Sequence, residues 1–273
     1  MKKIIILISF TILFSSHDMF LKMDHYFLEP NEESTLSIYN GTFEKSENPI
    51  ARYRMNKVLI TGPGFIFEPD TIQWYDEANI SVLDFKTGGG GTYLAGVSTK
   101  PNTISLTADE FNEYLEHDGV LDIYKSRTEN GELDKPAVEQ YSKHVKAIFQ
   151  VGDKLTNDYE KPMGFPIEFV PIENPGNYKI GDVVKFNLIS NGKLLSGHLV
   201  YIGSDPDHDT NNHNESEGHE HDELKITTNE EGIAAFQIIH NGLWYLRTIY
   251  MVPDDGKTVD YVSNWATLTF EVR

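Results

Sequence analysis

Ala266, Leu268, Phe270 and Val272 occupy every second position near the end of the chain, with Thr267, Thr269 and Glu271 between them. A period of two sends successive side chains to opposite faces, so Asn264 to Val272 is read as a strand with one apolar face. The same alternation recurs upstream. Val184, Phe186 and Leu188 alternate with polar residues, Asn191-Gly192 makes a tight turn, and Leu194 to Ile202, Ile233 to Ile239 and Leu243 to Met251 are further strand candidates. Roughly a hundred residues of such pattern predict a β-sandwich.

The N-terminal half opens with the same signal. Asp18 to Leu28, Ser34 to Asn40, Lys57 to Ile60, Asn79 to Phe85 and Thr92 to Thr99 are its candidate strands. The pattern then changes. Thr107-Ala108-Asp109-Glu110 is a capping box, Phe111 and Leu115 stand four apart, and Gly119 suits a left-handed helix end, which predicts a helix near 108–117. Val138, Tyr141, Val145 and Ile148 share a helical stripe, which predicts a second helix near 136–148. The Pro- and Gly-rich passage from Met163 to Gly176 marks the expected boundary. The fold expected is mainly β: two β-sandwich domains, 17–162 with a short helical insertion and 163–273.

Met1 to Ser16 reads as a charged Met-Lys-Lys start, an apolar run from Ile4 to Phe14 and a small-residue end, the pattern of a cleaved signal peptide. The apolar run is about half the ~20 residues that span a bilayer. A secreted or periplasmic chain without membrane insertion is expected, and with no cysteine it is not a lipoprotein and has neither disulfides nor thiolate ligands. Loss of Lys2 and Lys3 with the leader takes the formal charge from −19 to −21. So acidic a chain repels nucleic acid and anionic membrane, and its natural small partners are cations or neutral molecules.

Between Asp205 and Glu223 lie His208, His213, His219 and His221, eight carboxylates and no Lys or Arg. Such a segment cannot pack a core, but its imidazole nitrogens and carboxylate oxygens suit a borderline divalent transition metal. As a loop it lacks a fixed frame, so modest affinity is expected, and a solvated hairpin connection explains it about as well. Cleavage after Ser16 makes His17 the first residue, with α-amine and imidazole available as a bidentate chelate. If Asp18 to Leu28 is extended, His17 and His25 are roughly 26 Å apart and cannot share an ion, and Met19 and Met23 are read as core. His240, before Asn241-Gly242, is a further candidate, although a turn histidine more often makes one hydrogen bond. His144 and His198 are read as hydrogen-bonded structural residues and His117 as a helix C-terminal cation. Gly88 to Gly91 lacks the lysine and helix of a phosphate loop and is read as a turn.

Several landmarks follow one another in order: His17-Asp18, Leu28-Glu29-Pro30, Gly91-Thr92-Tyr93, Gly96-Val97, Glu110-Phe111 with Tyr114-Leu115, and Tyr141-Ser142-Lys143-His144. Pro166-Ile167-Glu168, Asn174-Pro175, Gly181-Asp182, Gly242-Leu243-Trp244 and Trp265 to Phe270 continue the series. In order and spacing they resemble an exported bacterial family of unknown function often labelled as the periplasmic component of nickel or cobalt uptake. That resemblance implies a transthyretin-like or immunoglobulin-like C-terminal sandwich and a transition-metal role. The expected function is capture or delivery of a divalent metal, nickel or cobalt first and copper or zinc next, with a membrane metal transporter as the implied partner. A structural or ligand-binding β-sandwich is the alternative, and a copper enzyme using His17 as a brace comes third. No serine, cysteine or carboxylate constellation in the sequence points to hydrolysis.

Overall fold

A computed structural model of the chain describes residues 18–206, 223–256 and 258–273. Its first strands are β1 (Asp18–Lys22), β2 (Phe27–Leu28), β3 (Glu33–Gly41), β4 (Met55–Gly62), β5 (Phe65–Phe67), β6 (Trp74–Glu77), β7 (Ile80–Lys86), β8 (Gly91–Thr99) and β9 (Asn102–Leu106). Helices α1 (Ala108–His117) and α2 (Leu121–Asn130) precede the long β10 (Ala137–Val151). Then come β11 (Ile167–Pro171), β12 (Val183–Ser190), β13 (Lys193–Leu194), β14 (Leu199–Asp205), β15 (Leu224–Thr227), β16 (Ile233–Gln237), β17 (Gly242–Pro253) and β18 (Tyr261–Val272).

Three sheets result, and the chain is mainly β with a sandwich-like build. The large sheet runs β15-β14-β17-β18-β10-β8-β4-β5, with β2 and β9 also paired to β10. A four-stranded sheet, β1-β3-β7-β6, and a second one built on β12, with β11, β13 and β16, complete the set. The large sheet takes strands from both sides of residue 163. β10 and β18 join the halves in parallel, Glu139 opposite Tyr261 through Ala147 opposite Thr269.

The alternation of β18 explains the layering. Ala266, Leu268, Phe270 and Val272 face a core shared with Phe169, Phe186 and Phe236 of the β12 sheet. The other face is lined by threonines that hold β1: Thr267 Oγ1 donates to Met19 O at 2.8 Å and Thr269 Oγ1 to Leu21 O at 2.6 Å. Met19, Leu21 and Met23 are buried there with Phe20, Tyr93 and Phe149 in a second core. Burial of each such side chain stabilises the fold by about 1.5–3 kcal/mol.

The expected helix at 136–148 is a strand instead. On β10, Val145, Ala147, Phe149 and Val151 fall on one face by a period of two and enter the core with β1. Three polar residues on the opposite face are buried with partners. His144 lies between Ser98 and Asn264, Lys146 meets Glu168, and Gln150 meets Thr92. Val138, Tyr141, Val145 and Ile148 imitated a helical stripe because a strand buried on both faces does not alternate cleanly: Val145 enters one core and Ile148 the other.

The helix at 108–117 forms as expected. Thr107 Oγ1 accepts from Glu110 N, Glu110 Oε2 accepts from Thr107 N at 2.8 Å, and Gly119 ends the turn at φ 75°. α2 was not legible: Val120 supplies no side-chain cap, and only Ile123 and Arg127 are buried along it. With Ile249, Met251 and Trp265 the two helices close a third, smaller core. The strand expected from Leu194 to Ile202 is broken at Gly197, φ 66°, where the chain leaves the β12 sheet for the large one. Gly88 to Gly91 likewise carries the chain between sheets, from β7 to β8.

Lys146 and Glu168 pin the large sheet to the β12 sheet. Nζ lies 2.8 Å from Glu168 Oε2, and each side chain is 1% exposed. Lys146 also donates to Phe169 O, while the carboxylate accepts from the N–H groups of Met163, Gly164 and Phe165. Removing one partner leaves an uncompensated buried charge. Lys146→Met is therefore expected to lower the unfolding free energy by about 3–5 kcal/mol in urea titrations.

Candidate functional site

β17 alternates as β18 does. Leu243 and Tyr245 enter the core with β1, Trp244 and Leu246 the other core, and Arg247 is the next residue on the β1 side. A guanidinium at such a position must find anionic or carbonyl oxygens. Nε and Nη2 of Arg247 donate to the two oxygens of Glu223 at 2.7 and 2.5 Å, a bidentate fork. Nη1 lies 3.4 Å from Asp18 Oδ2. Tyr201, opposite Arg247 in the β14–β17 ladder, places its ring 4.2 Å from Cζ, and the Tyr245 hydroxyl donates to Glu223 at 2.9 Å.

Further charges surround this centre. Burial pushes Asp18 up to about 6 while Arg247 opposes it, and Asp118, Lys143 and Glu223 contribute smaller effects. Burial pushes Lys143 down to about 8 against the pull of Asp18. The Tyr245 phenol is raised by burial and by Glu223, so it stays a neutral donor. Asp118 closes α1 beside this group, and a Cβ added to Gly119 would run into the Tyr201 ring. Glycine there allows the helix end to approach closely.

The cluster matters because of what adjoins it in sequence. Asp18 follows His17, and Glu223 closes the histidine- and acid-rich segment. His17, His208, His213, His219 and His221 themselves lie outside the described residues. Among the described residues no group of three or more His, Asp or Glu is disposed to hold a metal ion.

His240 is described, and both of its nitrogens are engaged. Nδ1 lies 2.6 Å from Asn241 O and Nε2 2.9 Å from Ser204 Oγ, so Nδ1 carries the proton and Nε2 accepts from the hydroxyl. The ring stacks on Trp244 at 4.7 Å. Ser204 immediately precedes Asp205, so His240 stands beside the near end of the histidine segment and Arg247 beside the far end. His25 is exposed beyond the end of β1, His117 lies 3.1 Å from Asp118 at the end of α1, and His198 packs edge-on to Tyr250. Arg247, Tyr201 and Glu223 were not singled out from sequence. The available signal was an arginine at an inward position of an otherwise apolar strand.

Residues 14–252 match the family described as Domain of unknown function (DUF4198). The chain belongs to this family. No curated protein matches the sequence. Among solved structures, the chain is similar to Salmonella alpha-2-macroglobulin reacted with methylamine at 11% identity and TM-score 0.24, covering 93% of this chain and 15% of that one. For Escherichia coli alpha-2-macroglobulin activated by porcine elastase the figures are 10%, 0.23, 93% and 20%, and for the D0-D1 domain of Intimin 10%, 0.20, 93% and 98%. Likeness at these TM-scores carries no conclusion about fold or function.

His144, in the run Tyr141-Ser142-Lys143-His144, has a structural role. Its Nδ1 lies 2.9 Å from Ser98 Oγ and its Nε2 3.0 Å from Asn264 Oδ1, and burial pushes its pKa below the usual 6.5, with Asn264 and Glu168 opposing. The unfolded chain takes up the proton more readily than the folded one. This contribution to stability is full above about pH 6.5 and is lost as pH falls through the lower folded value. Asp18 and Glu139 have raised values and act in the opposite direction. The stability difference between wild type and His144→Gln is therefore expected to shrink between about pH 7.5 and 5.5, read by urea unfolding at each pH.

Proposed function

We propose that this chain is an exported, non-enzymatic binding protein for a divalent transition metal, nickel or cobalt first and copper or zinc next. It captures or delivers the ion, with a membrane metal transporter as its partner. Residues 1–16 serve as the cleaved leader, and residues 163–273 form a transthyretin- or immunoglobulin-like part. One observation carries the reading: the residue after His17 and the residue that closes the histidine segment are both held by Arg247. Two ligand-bearing stretches far apart in sequence are thus tethered at one guanidinium. An amine, imidazoles and carboxylates together suit borderline divalent ions, and a formal charge of −19 draws cations toward the chain.

A second reading is a structural or ligand-binding β-sandwich whose histidines are incidental. The two hydrogen bonds of His240 favour it, since coordination through Nε2 requires displacing Ser204.

Calorimetric titration of protein beginning at His17 with Ni, Co, Cu and Zn separates the two. One saturable ion per chain is expected, weakened when an extra alanine precedes His17 and reduced when the four loop histidines become serine. Arg247→Gln is expected to weaken binding ~10-fold by releasing the two tethered stretches. Equal affinity with and without the extra alanine removes the His17 chelate, and weak multi-ion uptake throughout supports the second reading. Mass spectrometry of the exported protein's N-terminus shows whether His17 is the first residue.

A further inference from the structure

The chain has no cysteine, so no disulfide joins its sheets. A different pair of side chains stands where the β1-β3-β7-β6 sheet meets the large one. Asn40 lies on β3 and Lys143 on β10, 103 residues apart in sequence, and Lys143 Nζ donates to Asn40 Oδ1 at 3.3 Å. The Asn40 backbone is fixed, its N–H donating to Ser46 Oγ and its carbonyl accepting from Glu47 N, each at 3.0 Å. Lys143 is 7% exposed, its N–H donates to Thr99 Oγ1 at 2.9 Å, and its Nζ lies 5.3 Å from the Trp265 ring and 6.0 Å from the Tyr141 ring. The two side chains are held against each other by the fold.

Burial changes what a lysine can do. It lowers Lys143 to about 8, with Asp18 opposing and Arg54 assisting, so a share of the amine is the neutral, nucleophilic form near neutral pH. With Nζ 3.3 Å from Oδ1 and a C=O bond of ~1.23 Å, the Asn40 carbonyl carbon lies about 4 Å from the amine, close to the roughly 3–3.5 Å of a near-attack pair. Carboxyl groups complete the setting. β1 places Asp18 opposite Gly41, next to Asn40, and Asp118 and Glu139 also act on Lys143. Burial raises Glu139, so its carboxyl group holds a proton more readily than an exposed one does.

We propose that Lys143 and Asn40 react to form an intramolecular isopeptide bond that ties β3 to β10. The neutral Nζ attacks Cγ of Asn40, an Nζ–Cγ amide bond replaces the Cγ–Nδ2 bond, one Nζ proton passes to Nδ2, and ammonia leaves. No oxidant, metal or outside reactant is consumed. The acids around the amine are the groups that relay the proton. The link closes a loop of 103 residues and restricts the unfolded chain as a disulfide does. Lys146 and Glu168 make the contrast, since that carboxylate accepts three backbone N–H groups beside the ammonium and any condensation there releases water, not ammonia. The cross-link stands independently of the metal-binding reading.

The test is the intact mass of the purified full chain, set against the mass calculated for its own sequenced ends, followed by proteolytic peptide mapping. The wild-type mass is expected to be lower by one ammonia, and the map to contain a joined pair of peptides carrying Asn40 and Lys143. Lys143→Arg and Asn40→Ala are each expected to restore the full mass and to unfold at lower urea concentration than wild type. Asn40→Asp is expected to lose water instead and to reach the same cross-linked mass as wild type. A folded wild-type chain at full mass overturns the proposal. So does ammonia loss that maps to ring closure at Asn40-Gly41 within a single peptide, or that persists in Lys143→Arg. The wild-type map decides by itself where the variants do not fold.

Discussion

The parallel pairing of β10 with β18 is the constraint from which the rest of the architecture follows. Parallel neighbours cannot be joined by a tight turn and need a crossover. Here the crossover is everything between residues 151 and 261, which includes the whole β12 sheet and the β14–β17 arm of the large sheet. The C-terminal strand therefore returns to the middle of a sheet begun by the N-terminal half. Neither half can complete its core alone: Leu94 and Ile148 lie in the core with Phe186 and Phe270, while Leu243 and Tyr245 lie in the core with Phe20 and Phe85.

A central strand flanked by two layers has no solvent face on which to place polar residues, and this chain satisfies them internally. On β10 the imidazole of His144, the ammonium of Lys146 and the amide of Gln150 all point toward the β12 side, each to a named oxygen or hydroxyl. On β18 the threonines perform the complementary task, donating to carbonyls of β1 across the other face. Buried polar groups that are fully partnered define a single register, because a slip of one residue would strand every one of them.

The same economy of polar groups decided what was legible in the sequence. Strands with one clean apolar face, such as Asn264 to Val272, and the capping box at Thr107 were readable because the local pattern and the tertiary environment agree. β10 was not, since its polar residues imitate the solvent side of a helix while they serve as interior hydrogen-bonding groups. α2 lacked a cap and an apolar stripe, and its burial rests on Ile123 and on the Arg127 guanidinium over Phe111, a contact that no spacing rule announces. For the candidate site, sequence reasoning found the histidines by composition and missed Arg247. Composition reveals groups that can act, whereas the tether between them depends on which strands become neighbours.

Arg247 is where the fold meets the proposed metal site. A chain this acidic gains little from another exposed carboxylate, yet Asp18 and Glu223 are drawn in beside one cation with Asp118 nearby, at side-chain exposures of 16% and 18%. Desolvating carboxylates costs free energy that Arg247 and Lys143 only partly offset, and the upward shift of Asp18 to about 6 reflects that deficit. A fold optimised for stability alone would place apolar residues at these strand ends. Carboxylates held where the first strand and Glu223 converge favour a nearby cation, which is the electrostatic side of the proposed reading.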